Sequence, residues 1–308
     1  MAIISVPITD RAQWLELRNP NVGASEVGAL FGIHDYLSGF ALAAKKLGKL
    51  ADEPDNATFE RGRDLEPIAA KKLARLRPDL KQEAAEHYFF DPEIHFGATP
   101  DLFVFDERDR RGVVQIKTVM PGEFARKWHG DQGTIVPPLW IALQAMSEQH
   151  LTESEFAIVA ALVLDSELSM HVVEVPYMPK LMAEARQKVA AFWEMIAAGE
   201  LPEPDYGQDG RAIRAVFAED DGGELDLTTD NELPEIVDEL EAFKMARKTA
   251  EDAIEEATNK ILHRLGNAAR AKYAGGLITA KTEKRKEYTV AASTRRPLRI
   301  KPDRERAA

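Results

Sequence analysis

The 308-residue chain contains no cysteine. That absence excludes disulfides, zinc ribbons and thiol nucleophiles, and it suits a reducing compartment. Long apolar runs are missing as well, since no stretch approaches the ~18 residues that a bilayer-spanning helix needs. The opening MAIISVPITDRAQW has neither the basic flank nor the apolar run of a signal peptide. The expectation is a soluble, cytoplasmic protein with no membrane segment. No H-E-x-x-H, G-x-S-x-G or Walker A pattern occurs, and the seven histidines are scattered without a close pair.

What is present divides by charge. The net charge is −12, which on its face disfavours a polyanionic partner. The distribution is uneven, however. Residues 219–241 hold 11 acidic residues and no basic one, whereas residues 260–308 hold 14 Lys or Arg against 4 Asp or Glu. A site that gathers carboxylates to hold cations is compatible with a negative total.

The pattern along the chain predicts an α/β arrangement with a mixed central sheet flanked by helices. Four helical stretches come first: one capped by Thr9 or Asp10, one headed by Ser25 and closed by Gly32, one over 40–47, and one over about 58–77. Short segments rich in β-branched and aromatic residues follow at 87–90, around 94–98, at 101–105 and at 113–117. Helices are expected over 123–129, 138–150 and about 179–198, with strands at 156–164 and 170–175. Pro202 and Pro204 mark the expected end of this unit, and 218–232 reads as a linker. Beyond it Leu233, Ile236, Leu240, Phe243, Ala250, Ile254, Ala257 and Ile261 recur every three or four residues before Gly266, as in a long amphipathic or coiled-coil-like helix. A small hairpin with basic residues at its tip is expected over 273–290.

The informative stretch is Thr99-Pro100-Asp101 followed, after thirteen residues, by Gln115-Ile116-Lys117. Strand periodicity puts Gln115 and Lys117 on one face and turns Ile116 into the core. A hairpin brings Asp101 beside them. A hard cation such as Mg²⁺ takes oxygen ligands, and Asp101, Gln115 and the main-chain carbonyl of Ile116 supply oxygens of three kinds. Lys117 is placed to orient an attacking water and to offset charge building on a phosphorus. By itself this pattern is common at hairpin ends.

Several further motifs stand in the same order as in the YqaJ-type viral recombinase (lambda-exonuclease-like) family of PD-(D/E)xK nucleases, which the chain resembles over roughly residues 10–200. Trp14-Leu-Glu-Leu-Arg18 and Gly23-Ala-Ser25-Glu26 resemble the N-terminal signature of that family. Gly62-Arg-Asp-Leu-Glu66 resembles the segment whose Glu joins the metal site. Thr99-Pro-Asp101 with Gln115-Ile-Lys117 resembles the acidic-lysine core, and Gln144-Ala-Met146 the helix lying over it. The resemblance implies a restriction-endonuclease-like nuclease domain over 1–217, with the acidic linker, amphipathic helix and basic tail over 218–308. It implies Glu66, Asp101, Gln115, Lys117 and Gln144 as catalytic residues, and Glu66, Asp101, Gln115 and Ile116 as holders of Mg²⁺, for which Mn²⁺ can substitute. Trp14, Arg18 and Ser25 would grip the phosphate at a DNA end.

By the same resemblance the expected activity is 5′→3′ degradation of double-stranded DNA from its ends, in phage-type recombination in a bacterial host. The expected partners are duplex DNA ends and a single-strand annealing protein, and the expected assembly is a homo-oligomer, with a ring-shaped trimer as the form relatives take. The departure is Gln115, where the family has Glu. A neutral amide attracts a cation less than a carboxylate does. Two readings therefore stay open: a tolerated ligand with weaker metal affinity, or a catalytically silenced protein that binds DNA ends.

Overall fold

The computed structural model describes residues 2–51, 56–284 and 296–300. They divide into two compact units, 1–217 and 218–308.

The first unit is built on a five-stranded mixed sheet and a smaller four-stranded one. In the larger sheet β3 (Lys81–Ala84), β6 (Leu102–Phe105), β7 (Arg111–Val119), β8 (Phe156–Val163) and β9 (Met170–Val175) lie in that order. The β7–β8 pair is parallel and its neighbours are antiparallel. β8 is covered on both faces, which explains its unbroken apolar run. Ala157, Val159 and Ala161 enter one core cluster, and Ile158, Ala160 and Leu162 the other.

On the second of these faces lies α3 (Ala57–Leu76), whose Ala69 and Leu73 meet Val114 and Ile116. Asn56 caps it through bonds to the Thr58 and Phe59 amides, satisfying donors that a helix start leaves unpaired. On the opposite face α5 (Leu139–Leu151) and α6 (Pro179–Ala197) pack Leu143, Met146, Met182 and Val189 into the main core.

The smaller sheet runs β1 (Ile4–Pro7), β4 (His87–Asp91), β5 (Phe96–Ala98), β2 (Val22–Gly23). The segments around 87–98 thus form a sheet of their own rather than joining the central one. Three further expectations are corrected. The stretch headed by Ser25 is a 3₁₀ turn, Val27–Phe31, that stops at Gly32 with φ 65°, a left-handed conformation that glycine adopts without a Cβ clash. The unit does not end at Pro202 and Pro204, because α7 (Gly210–Val216) follows and buries Ala212 against Phe40 and Ala44. The remaining helices, α1 (Arg11–Arg18), α2 (Gly39–Lys46) and α4 (Pro121–Lys127), lie where the periodicity puts them, with Asp10 rather than Thr9 as the α1 cap.

The second unit contains α8 (Leu233–Leu265), which Gly266 terminates, and a hairpin of β10 (Arg270–Tyr273) and β11 (Gly276–Thr279). The hairpin falls earlier than expected and turns at Ala274-Gly275 instead of at a basic tip. Lys281 and Lys284 follow its second strand, and the basic residues Arg285 and Lys286 lie outside the described residues. Among the described residues no helix is long and apolar enough to cross a membrane.

Asp91 ties the two sheets' helical cover to the small sheet. It is fully buried and pairs with Arg186 of α6 at 2.8 Å. Arg186 in turn lies 3.4 Å from the Nε2 of His150 on α5. Removing one partner of such a pair leaves the other uncompensated. Asp91→Ala is therefore expected to lower stability by roughly 3 kcal/mol, read as a fall in the urea midpoint with an unchanged slope.

Candidate active site

The β6–β7 register builds the centre of the site. Leu102 pairs with Val114, so Asp101, one residue before β6, falls beside Gln115. Asp101 Oδ2 accepts the Ile116 backbone N–H at 2.6 Å and a further bond from Gln115 Nε2. Gln115 and Lys117 point to the α5 side, where Gln144 waits, and Ile116 points into the α3 core. The hairpin geometry read from the spacing is the geometry present.

The hydrogen bonds run in one direction. Lys117 Nζ donates to Gln144 Oε1 at 2.9 Å, Gln144 Nε2 donates to Gln115 Oε1, and Gln115 Nε2 donates to Asp101 and, at 3.2 Å, to the Ile116 carbonyl. An ammonium only donates and a main-chain carbonyl only accepts. These two ends determine which way both amides face. Gln115 thus turns its NH₂, not its oxygen, toward Asp101 and the Ile116 carbonyl.

Glu148, one turn beyond Gln144 on α5, completes the cluster. It is 1% exposed, accepts from Gln144 Nε2 at 2.8 Å, and its Oε2 is buried with no hydrogen-bond partner among the described residues. Withdrawal from water raises the Glu148 carboxyl well above its ordinary value, and Asp101 adds to that rise. Asp101 itself is pushed up to about 7 by removal from water, with Glu66 contributing, against the lowering effect of Lys117 and its own hydrogen bonds. Burial lowers Lys117, opposed by Asp101 and Glu148. Glu66, from the middle of α3, is raised by its own partial burial.

The donor set fits a hard cation in part. Asp101 Oδ2 and the Ile116 carbonyl aim at the same amide nitrogen, so two oxygens converge where positive charge is wanted, and Glu66 loads the same region with negative charge. Among the described residues no three Asp, Glu or His side chains gather closely enough to hold a metal by themselves. A cation would rest on Asp101, Glu66 and the Ile116 carbonyl, with Gln115 contributing its oxygen only after its amide turns over.

A second cluster lies at the end of α1. Arg18 Nη2 donates to Ser25 Oγ at 3.2 Å and to Glu26 Oε1 at 3.0 Å, and its guanidinium sits 5.0 Å from the Trp14 ring centroid. Trp14 Nε1 donates to Thr99 Oγ1 at 3.0 Å, two residues from Asp101. The three residues expected at a DNA end are therefore together. Their electrostatic anchor is Glu26, which also bonds Lys46 at 2.9 Å and the Gly23 amide at 2.9 Å. Burial acts to raise Glu26, but Arg18 and Lys46 outweigh it and hold the carboxyl at about 2.

His34 joins the two clusters. Its ring lies 4.5 Å from that of Trp140, and Lys117 Nζ is 5.5 Å from the same indole. Burial and the Lys117 charge lower His34, with Asp35, Ser25 and Glu26 opposing. The sequence assigned no role to His34, Trp140 or Glu148, and it marked Glu26 only as part of the N-terminal signature. One signal was available: Trp140, Gln144 and Glu148 recur at intervals of four, one face of one helix.

The first unit is thus a mixed sheet flanked by helices, with Asp101 immediately before β6 and Lys117 on the adjacent β7. Residues 13–155 match the YqaJ-like viral recombinase domain. No curated protein matches the chain. Among solved structures it is similar to LHK-Exo in complex with dAMP, at 21% identity and TM-score 0.50, covering 61% of this chain and 94% of that one. It is also similar to LHK-Exo described as an alkaline exonuclease from Laribacter hongkongensis, at 21% identity, TM-score 0.49 and the same coverage.

Glu26 has a clear pH signature. Its folded value lies below its ordinary 4.5, so the stability it contributes is present above pH 4.5 and is lost as pH falls toward 2. Glu26→Gln is expected to cost roughly 2–3 kcal/mol at pH 7. Urea unfolding at pH 7 and pH 3 checks this, with the gap between the two proteins narrowing at the lower pH.

Proposed function

We propose that the chain is a metal-dependent exonuclease that degrades double-stranded DNA from its ends, 5′ to 3′, in homologous recombination. The observation that carries the reading is that Asp101 and the Ile116 carbonyl meet at one amide nitrogen, within reach of the Lys117 charge, which in turn feels that of Arg18. Mg²⁺, or Mn²⁺ in its place, held by Asp101, Glu66 and the Ile116 carbonyl, would supply Lewis-acid polarisation of the scissile phosphate.

The chain's own residues account for the rest. Lys117 places a positive charge beside the reacting phosphate, and its lowered proton affinity suits it to exchange a proton at the attacking oxygen. Gln144 fixes the direction in which that ammonium points. Among the described residues Arg18 bonds Ser25 and Glu26 through its Nη2, so the rest of its fork suits a terminal phosphate. Trp14 offers a flat face there. A duplex resected in this way exposes a 3′ single strand, the natural substrate of an annealing partner.

A second reading has one observation in its favour. With the Gln115 NH₂ facing Asp101, the amide hydrogens stand where the oxygens want a cation. In that case the protein binds DNA ends and cuts little.

Digestion of a linear duplex labelled at its 5′ end, in Mg²⁺ and then Mn²⁺, separates the two. The exonuclease reading expects metal-dependent loss of label, reduced by roughly 10²–10³-fold in Lys117→Ala. It also expects Gln115→Glu to lower the Mg²⁺ concentration needed by about tenfold. Label retained in both metals, with digestion appearing only in Gln115→Glu, would establish the end-binding protein. Retention in both proteins would remove the nuclease reading.

A further inference from the structure

Helix α8 is 33 residues long, and its residues from 241 to 264 are all exposed. A helix in water draws most of its stability from packing an apolar face, not from intrinsic propensity. The apolar residues of α8 follow a heptad. Leu233, Leu240, Ile254 and Ile261 occupy one core position of the repeat, with Arg247 between them. Ile236, Phe243, Ala250 and Ala257 occupy the other. Phe243 is 70% and Ile254 65% exposed, a condition that large apolar residues in a regular seam do not normally keep.

We propose that this seam binds the same seam of a second copy of the chain, running antiparallel, as a two-helix coiled coil centred between Lys248 and Thr249. The arrangement is isologous, with one patch meeting itself across a two-fold axis.

Side-chain size supports it. About that centre Phe243 meets Ile254 of the second copy, Leu240 meets Ala257, and Ile236 meets Ile261. Arg247 lies over Ala250, where a small residue leaves its long stem room to reach water. A parallel pairing instead sets Arg247 on Arg247 and each alanine on itself, combining like charges with voids.

Charge supports it independently. Residues flanking a coiled-coil seam select partner and orientation. In the antiparallel pair Lys244 flanks Glu251 of the second copy and Glu239 flanks Lys260, and symmetry repeats each contact. The parallel pair offers Glu239 with Lys244 alone. Within one chain Lys244 bonds Glu241 at 2.7 Å, and Lys260 bonds Glu256. Exposed pairs of this kind contribute little and exchange readily.

The absence of cysteine makes a direct test possible on the full chain. Leu240→Cys and Ala257→Cys are prepared separately and oxidised alone and mixed. In the antiparallel pair like positions lie about 25 Å apart, from 17 residues at about 1.5 Å each, and neither variant links to itself. The mixture yields a covalent dimer. Self-linking of each variant would establish a parallel pair and overturn the proposal, as would a mixture that links no more than its components.

The charges provide a reading that leaves the apolar seam intact. In sedimentation equilibrium Lys244→Glu is expected to weaken self-association at least tenfold, and adding Glu251→Lys to restore it. Failure of the double variant to recover would count against the antiparallel register.

Discussion

A directed run of hydrogen bonds from Lys117 through Gln144 and Gln115 to Asp101 is the constraint around which the first unit is arranged. It crosses a region where β7 and α5 bury Val113, Val119, Ile141, Leu143 and Met146. Buried polar groups are costly unless each finds its partner. Here the partners come from two strands and one helix, so β6, β7 and α5 must keep their mutual register for any of the bonds to survive. Glu148 lies at the edge of this run, with one oxygen that finds no partner among the described residues. Removal from water raises its carboxyl and that of Asp101, with Asp101 adding to the rise at Glu148 and Glu66 to that at Asp101. Shifts of this kind cluster at functional sites.

The Arg18 cluster solves a related problem by a different means. Glu26 is buried too, but it faces both Arg18 and Lys46, whose charges hold its carboxyl at about 2. A carboxylate-rich centre thus lies near a flank that carries Arg18 and Lys46, linked through His34 and Trp140. For a polyanion with a terminal phosphate this is a favourable division. The flank attracts the end, and the centre repels it unless a cation intervenes. The overall charge of −12 is no obstacle to such a partner, because the local arrangement governs the encounter.

The legible parts of the fold were those where one physical signal dominated. β7 and β8 announced themselves through apolar runs, and α3, α6 and α8 through helical spacing. Asp101, Gln115 and Lys117 could be placed together because a hairpin leaves little freedom. β3 was missed because Lys81–Ala84 is a polar edge segment whose strand character comes only from pairing with β6. β2 is two residues long and exists only through its neighbour β5. The separation of the strands into two sheets is a tertiary outcome, since nothing within residues 87–98 states which edge they join. At the site, Gln144 was reached through family resemblance alone. Glu148 looked like any helix carboxylate, because its burial depends on what α5 packs against. The orientation of the Gln115 amide is set by partners 29 residues away at Gln144, which no local pattern contains.

The central claim is that Asp101 is the hub of a cation-dependent site. Its most direct test is a titration with Mn²⁺, followed by electron paramagnetic resonance without DNA, on the parent protein and on Asp101→Ala. The account predicts a saturable site in the parent that the substitution removes, while the far-ultraviolet circular dichroism of the two proteins stays the same. Equal Mn²⁺ uptake by both proteins, or none by either, would contradict it.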